Sequence, residues 1–230
     1  MESEAELKDE IIEVGRRLYE RRLIAALEGN ISARLGDRLY LTPSGLCKGL
    51  LKREDIVLAD LEGKKLGGIR EPSSEAGMHI EIYRLRSDVK AIVHAHPPYS
   101  TAFAVAGIAL DKALLPEVIL TLGSIPLVPY VTPTTEGLAC AVRPLACDHD
   151  ALLLSNHGAL TMGHDLQSAY FKMETLEHFA WVSLLARMLG REQVLSREDL
   201  TRLYAIRPEH GTTPGRQGLV TAETSEEKQR

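Results

Sequence analysis

The sequence predicts an α/β protein in which a central, mainly antiparallel sheet is flanked by helices. Apolar residues recur every three or four positions in residues 4–28 and 165–189, which is the spacing of helices with one buried face. Residues 31–35 and 39–41 flank Gly36-Asp37, a combination typical of an antiparallel hairpin. Helices and hairpins mixed along one chain favour a layered α/β domain.

In the first half of the chain, turn and cap residues mark where elements begin and end. Gly29-Asn30 ends the first helix, whose buried face comprises Leu7, Ile11, Val14 and Leu18. Glu71-Pro72-Ser73-Ser74 is a helix-start signal in which a serine can cap the helix that follows. The expected order is a helix at 4–28, a hairpin at 31–41, a turn at 42–45, a strand at 56–61 and a helix at 75–86.

The second half alternates apolar strands with helices. Pro97 or Pro98 can open a helix, because proline is tolerated in a first turn. The expected order is a strand at 91–96, a helix to about 105, a strand at 125–130, a helix at 134–143, a buried strand at 151–155 and a long helix at 165–189. Nothing in the sequence divides residues 1–211, so these form one domain. Residues 212–230 are polar and predict a flexible tail.

The composition is that of a globular protein of the cytoplasm. Of the 230 residues, 44% are hydrophobic and 26% charged, which is ordinary for globular domains. The net charge of −5 is spread along the chain, so neither nucleic acid nor a membrane is an expected partner. No apolar stretch approaches the roughly 18 residues of a spanning helix. The N-terminus is acidic rather than signal-like, and the three cysteines lack CxxC spacing.

Three histidines stand at the ends of apolar runs. His94-Ala95-His96 follows Ala91-Ile92-Val93 and stops at Pro97-Pro98, and His157 follows the run at 151–155. Successive side chains of a strand alternate faces, so His94 and His96 point the same way. Each histidine alone is compatible with an ordinary polar residue at a strand end. Together they favour a catalytic divalent ion, most often zinc.

The segment before the predicted helix at 75–86 has two interpretations. Glu75 can stabilise the helix dipole or act as a general base beside the metal. Ser73 and Ser74, with backbone N–H groups at a helix start, resemble an anion site. Two further turns are rich in small residues and donors, and their simplest interpretation is turn chemistry. They are Gly29-Asn30 and Thr42-Pro43-Ser44-Gly45.

The order of these motifs resembles the class II aldolase/adducin family, with the zinc-dependent fuculose-phosphate aldolases as the nearest likeness. The resemblance covers residues from about 5 to about 190. It implies a single domain with a three-layer fold and a homotetramer with its active site at a subunit interface. It further implies that His94, His96 and His157 bind Zn²⁺, with Mn²⁺ or Co²⁺ as alternatives, and that Glu75 is the catalytic acid/base. The residues implied to bind the substrate phosphate are Gly29, Asn30, Thr42, Ser44, Gly45, Ser73 and Ser74.

The implied reaction is reversible retro-aldol cleavage of a ketose 1-phosphate to dihydroxyacetone phosphate and an aldehyde. Breaking the C3–C4 bond leaves an enediolate, whose charge the zinc ion holds as a Lewis acid. Glu75 then returns a proton to carbon. Relatives of the family with aspartate in place of Glu75 are epimerases, so glutamate favours an aldolase.

The sequence departs from the family pattern at one position. The tyrosine that protonates the aldehyde oxygen in the fuculose-phosphate enzymes is replaced here by Leu115-Pro116-Glu117. Glu117, Tyr130 and Tyr204 are alternative donors, and the identity of the sugar is left open. His79, one turn after Glu75, is expected to be an ordinary packed or exposed helix residue.

Two other functions compete with the aldolase. A sugar-phosphate dehydratase or decarboxylase would use the same metal site. A non-catalytic adducin-like binding module would keep the fold and dispense with the metal. The intact set of His94, His96, His157 and Glu75 argues against the binding module.

Overall fold

The computed structural model describes residues 3–206 and contains seven α-helices within that range. They are α1 (Glu4–Glu20), α2 (Ala76–Leu85), α3 (Pro98–Val105), α4 (Pro116–Thr121), α5 (Glu136–Ala146), α6 (Leu166–Met188) and α7 (Arg197–Ile206). Two short 3₁₀ helices, Lys48–Leu50 and Arg53–Asp55, lie in the first half of the chain. The predicted tail at 212–230 falls outside the described residues. No helix in the described range is long and apolar enough to cross a membrane.

Eight strands form one sheet in the order β4-β3-β2-β1-β5-β8-β7-β6. They are β1 (Asn30–Leu35), β2 (Arg38–Leu41), β3 (Val57–Asp60), β4 (Lys65–Gly67), β5 (Ala91–Ala95), β6 (Leu127–Val128), β7 (Ala151–Leu154) and β8 (Gly158–Gly163). All neighbouring strands run antiparallel except β6 and β7. The predicted mainly antiparallel sheet is therefore confirmed.

Helices cover both faces of the sheet and give three layers. Val93 on β5 and Leu153 on β7 point to one face, where they join the core formed with α1, α3, α4 and α6. Ile92 and Leu152, their chain neighbours, point to the opposite face and pack with α2 and α5. Side chains alternate along a strand, so each strand contributes to both cores. The predicted single α/β domain is confirmed.

The first helix ends earlier than the sequence indicates. The prediction extended it to residue 28, but α1 stops at Glu20 and Arg22 adopts a left-handed φ of 58°. Leu23 and Ile24 are apolar and buried, although they lie in an irregular segment. Apolar residues indicate that a segment is buried, and here the chain stays buried after the helix has ended. Asn30 does not end the helix but begins β1.

Strand β8, which lies in the middle of the sheet, was not predicted from the sequence. Its residues, Gly-Ala-Leu-Thr-Met-Gly, include two glycines and follow a turn-like triplet, so they carry weak strand signals. Pairing with β5 on one side and with β7 on the other stabilises these residues as a strand despite the weak signals. The short helices α4 and α7 were also not predicted. The strand expected at 125–130 is reduced to Leu127–Val128.

The topology brings several strand ends to one edge of the sheet. Strands β2, β5 and β7 end there, and β1 and β8 begin there. Asn30 pairs with His94 across β1 and β5, and Ala95 pairs with Ala159 across β5 and β8. Most residues predicted to be functional lie along this edge.

The core predicts a clear difference between two leucines of α6. Leu176 is fully buried against the sheet, whereas Leu185 on the same helix is 44% exposed. Leu176→Ala should lower the free energy of unfolding by about 2–5 kcal/mol, because it leaves a cavity. Leu185→Ala is the matched control and should cost about 0.5 kcal/mol or less. Urea unfolding measures both, and equal costs would contradict the described packing.

Candidate metal centre and substrate site

The three predicted histidines converge at the sheet edge. His94 lies in β5, His96 follows the last residue of that strand, and His157 lies in the turn between β7 and β8. One ring nitrogen from each lies within 4.8 Å of the others. The ring centroids are 4.7 to 4.9 Å apart. The structure therefore brings together His94 and His157, which are 63 positions apart in the chain.

The turn that carries His157 depends on its two neighbours. Asn156 has a left-handed φ of 56°, a conformation that asparagine tolerates better than most residues. A Cβ at Gly158 would lie 2.5 Å from the Ala95 carbonyl oxygen and 2.6 Å from Cδ2 of His96. Glycine is thus required at position 158 so that β8 can pass directly beneath the His96 ring. The Asn-His-Gly motif has a structural explanation at each position.

The Glu75 carboxylate faces the histidines. One of its oxygens, Oε2, lies 3.2 Å from Nε2 of His94, and the other, Oε1, lies 3.2 Å from Nε2 of His157. The side-chain amide of Asn30 donates a 2.8 Å hydrogen bond to Oε2. Glu75 precedes α2 and makes no side-chain capping bond to it. The predicted serine cap is also absent, since Ser73 Oγ accepts only the backbone N–H of Glu75.

Burial and neighbouring charges set the protonation of this cluster. Burial opposes ionisation of Glu75, but its contact with His94 and the hydrogen bond from Asn30 hold its pKa well below its usual range. Burial, with the charge of His94, lowers the pKa of His96 to about 3 and that of His157 to about 4. Both rings are therefore neutral at pH 7, which is the form that binds a metal ion.

The hydrogen bonds of His94 test whether these residues suit a cation. Nδ1 lies 2.9 Å from the Ala159 carbonyl oxygen, which can only accept, so Nδ1 carries the proton. Nε2 faces Glu75 Oε2 at 3.2 Å and His96 Nε2 at 3.1 Å, so a proton or a cation has to lie between these atoms. Three imidazole nitrogens and a carboxylate that face one another in this way fit a divalent cation such as zinc.

The turns predicted to bind phosphate also meet at this edge. The backbone N–H of Ser73 donates to the Thr42 carbonyl at 3.1 Å, and that of Ser44 donates to the Glu71 carbonyl at 3.1 Å. Gly29 has a φ of +70°, and a Cβ there would lie 2.7 Å from the His94 carbonyl oxygen. The three turns are therefore neighbours in space as well as in the motif order.

Two of the residues implied to bind phosphate use their side chains otherwise. Asn30 holds Glu75, and the Thr42 hydroxyl accepts the backbone N–H of Ile31 at 3.0 Å. Both side chains are buried. Ser44, Gly45, Ser73 and Ser74 surround them, and a cavity of about 380 Å³ borders Ser74 and Glu75 between α2 and the start of α5. The assignment of the seven residues to phosphate stays a prediction.

A buried polar row behind Glu75 was not recognised in the sequence. Ser32 Oγ lies 2.7 Å from Nδ1 of His79 and 2.8 Å from the hydroxyl of Tyr83. The Arg34 guanidinium donates to the Tyr83 carbonyl at 3.2 Å. This row could have been recognised from the spacing of polar residues, which matches between the strand and the helix. Positions 30, 32 and 34 share one face of a strand, and positions 75, 79 and 83 share one face of a helix.

The three alternative proton donors lie apart from these contacts. Glu117 is exposed at the start of α4, and Tyr130 is 58% exposed in the segment after β6. Tyr204 belongs to α7 and packs on the small core around Ala113, Ile119 and Leu200. The contacts of Glu75 and of the histidines described above include none of them.

Comparison with known proteins agrees with the fold. The family model described as Class II Aldolase and Adducin N-terminal domain matches residues 9–184. This chain belongs to that family. The resemblance inferred from the motif order is thereby confirmed, with fuculose-phosphate aldolases among the similar proteins.

Relatives of this class II aldolase family member include more than one named activity. An L-fuculose phosphate aldolase of Methanococcus maripaludis is 38% identical over 78% of this chain and 97% of its own length. A 3-oxo-tetronate 4-phosphate decarboxylase of Pectobacterium atrosepticum is 33% identical over 88% of this chain and 94% of its own. A solved L-fuculose 1-phosphate aldolase superposes with a TM-score of 0.84 at 31% identity, covering 92% and 99% of the two chains.

Burial of His79 generates a pH-dependence prediction. Burial lowers its pKa to about 3, whereas an unfolded histidine titrates near about 6.5. Between these values the unfolded chain binds the extra proton, so the free energy of unfolding falls as the pH is lowered. In metal-free protein, His79→Asn should reduce that slope by up to about 1.4 kcal/mol per pH unit.

Urea unfolding of chelator-treated wild type and variant from pH 7 to 4 measures this slope. His164→Asn, which removes a histidine that is 72% exposed, is the matched control for losing an imidazole. Parallel stability curves for wild type and His79→Asn would show that His79 does not titrate as described.

Proposed function

We propose that this protein is a metal-dependent aldehyde-lyase that cleaves a ketose 1-phosphate reversibly to dihydroxyacetone phosphate and an aldehyde. The observation that carries the proposal is the Glu75 carboxylate, which lies 3.2 Å from His94 and from His157. Together with His96 these residues would hold the cation, with zinc favoured and manganese or cobalt as alternatives. When bound, such an ion supplies Lewis-acid stabilisation of negative charge that develops on the substrate oxygens.

Glu75 is placed to move a proton at the carbon next to the carbonyl. In the cleavage direction it returns the proton to that carbon, and in the synthetic direction it removes the proton. The Asn30 amide holds Oε2 and fixes the orientation of the carboxylate. Because its pKa lies below the usual range, Glu75 is ionised at pH 7, which is the form that can accept a proton.

The substrate phosphate is assigned to the adjoining turns. Ser44, Gly45, Ser73 and Ser74 offer hydroxyl and backbone donors, and Gly29 allows the chain to pass close to the His94 carbonyl. Such donors orient an anion without needing a base. A phosphate held there would fix the reacting carbons relative to Glu75, which reduces the entropic part of the barrier.

A decarboxylase acting on a sugar-acid phosphate is the second candidate. It is favoured by the decarboxylase relative that aligns with 88% of this chain at 33% identity. Both reactions develop negative charge next to a carbonyl, so one site can serve either. They differ in the group that leaves, an aldehyde or carbon dioxide.

Product analysis decides between the two reactions. Purified protein is loaded with Zn²⁺ and incubated with a panel of ketose 1-phosphates and with 3-oxo-tetronate 4-phosphate. Release of dihydroxyacetone phosphate together with an aldehyde from a ketose 1-phosphate is the expected result. Decarboxylation of the oxo acid also leaves dihydroxyacetone phosphate, so the aldehyde and carbon dioxide are the products that are measured. Carbon dioxide release from the oxo acid alone would replace the aldolase with the decarboxylase. Inactivity on every substrate, with no bound metal, would favour an adducin-like binding module.

We further propose that the active protein is a cytoplasmic homotetramer with its active site at a subunit interface. The exposed positions of Glu117 and Tyr130 support this arrangement, because a neighbouring subunit can approach either side chain. Light scattering coupled to size-exclusion chromatography should give four times the monomer mass. A monomer with full aldolase activity would contradict the interface.

His94→Ala should abolish metal binding and activity together. The ring lies at the centre of the cluster, in contact with His96, His157 and Glu75, so its loss removes more than one contact. Elemental analysis after dialysis measures the bound metal. His164→Ala, at an exposed position, is the control and should keep a full complement. Retention of stoichiometric metal by His94→Ala would rule out the assigned centre.

Glu75→Gln should retain metal and lose proton transfer. Glutamine keeps the shape and can still contact Asn30, but its amide does not accept or release a proton near neutral pH. Exchange of the dihydroxyacetone phosphate C3 hydrogen with solvent deuterium should slow by about 10²- to 10⁴-fold. Nuclear magnetic resonance measures this exchange without the aldehyde. Exchange at the wild-type rate would exclude Glu75 as the acid/base.

A further inference from the structure

Lys48 is a buried cation beside the predicted phosphate turns. Its side chain is only 3% exposed, although lysine is rarely buried. It opens the 3₁₀ helix Lys48–Leu50, three residues after Gly45. The proposed function gives it no role, because the reaction needs no lysine.

The ammonium group joins two segments that frame the site. Nζ donates to the Leu27 carbonyl at 2.7 Å and to the Leu46 carbonyl at 2.9 Å. Leu27 lies just before Gly29, and Leu46 follows Gly45 directly. Lysine has three N–H donors, and two of them meet these carbonyls, so one donor has no partner within residues 3–206.

No ion pair neutralises Lys48 among residues 3–206. A buried ammonium without a carboxylate is costly, and burial accordingly lowers the pKa of Lys48. The neighbouring Cys47 thiol and the Glu75 carboxylate offset part of this effect, but neither forms an ion pair with Lys48, and Glu75 already contacts His94 and His157. Because no carboxylate in the described residues pairs with it, the Lys48 ammonium group can interact with an anion bound at the neighbouring turns.

Lys48 lies close to two of the turns assigned to phosphate. Leu46, whose carbonyl accepts from Nζ, follows Gly45 directly, and Leu27, whose carbonyl accepts the other hydrogen bond, stands two residues before Gly29. The charge of Lys48 is thus held beside both turns, where it can act on a bound anion.

We propose that Lys48 is the fixed counter-charge for the phosphate of the substrate and makes the site selective for phosphorylated over neutral sugars. This inference rests on the proposed function, which assigns phosphate to the turns at residues 29–30, 42–45 and 73–74. A phosphate dianion brings the negative charge that the protein itself does not supply at Lys48. The neutral hydroxyls of an unphosphorylated sugar cannot do so.

The competing explanation is a purely structural tie between Leu27 and Leu46. Lys48→Gln distinguishes the two, because the amide retains N–H donors for the carbonyls and loses the charge. Lys52→Gln is the matched control, since it removes one exposed positive charge from the same loop. Both variants are compared with wild type as metal-loaded, full-length protein.

Two measurements test the proposal. Isothermal titration with inorganic phosphate gives the affinity of the anion site without turnover. The ratio of kcat/KM for a ketose 1-phosphate to that for the unphosphorylated ketose gives the selectivity. Lys48→Gln should weaken phosphate binding by about 10- to 100-fold and lower the ratio similarly, as expected for losing a bond to a charged group. Lys52→Gln should change either value by less than about twofold.

The remaining outcomes separate this inference from the proposed function. Unchanged phosphate affinity in Lys48→Gln, or equal losses for both ketoses, overturns the counter-charge and leaves the lyase intact. Failure of wild type to bind phosphate or prefer phosphorylated substrates overturns the phosphate assignment and this inference with it. Should Lys48→Gln not fold, Lys48→Arg keeps the charge. It should bind phosphate within about tenfold of wild type, and a greater loss counts against the proposal.

Discussion

The site depends on the placement of one carboxylate. Glu75 lies at the start of α2, on the helical layer, whereas the histidines belong to the sheet. The carboxylate connects these layers through His94 and His157, and the Asn30 amide on β1 holds it there. A buried carboxylate against neutral imidazoles is costly without a compensating cation. The rest of the fold therefore has to keep sheet and helix in a fixed relation.

Local sequence patterns were sufficient to predict the parts of the site that lie on single elements. His94 and His96 share a strand face and were identified by side-chain alternation. The helix-start signal located Ser73, Ser74 and Glu75 at the start of α2, although no serine caps that helix. Their convergence with His157 depends on β8, which carries weak strand signals and is held by its neighbours. The family resemblance, which rests on the order of the motifs, predicted this convergence, whereas local rules could not.

Other features depend on contacts between distant segments and could not be predicted locally. The Ser32–His79 contact joins residues 47 positions apart. Lys48 follows a turn and has the polarity of a surface residue, yet α1 and two loops bury it. Likewise, Leu23 and Ile24 extend an apolar pattern past the end of α1. In each case tertiary burial, rather than intrinsic preference, determines the conformation.

The polar row between β1 and α2 restricts the lengths of these two segments. Two residues of a strand advance about 6.6 Å and four residues of a helix about 6 Å, so the two repeats are nearly commensurate. Successive pairs from Asn30–Glu75 to Arg34–Tyr83 can therefore stay in step. Deleting or inserting a single residue in either segment would put all of them out of step at once. Single-residue insertions and deletions should therefore be tolerated less well in these two segments than in exposed loops away from the site.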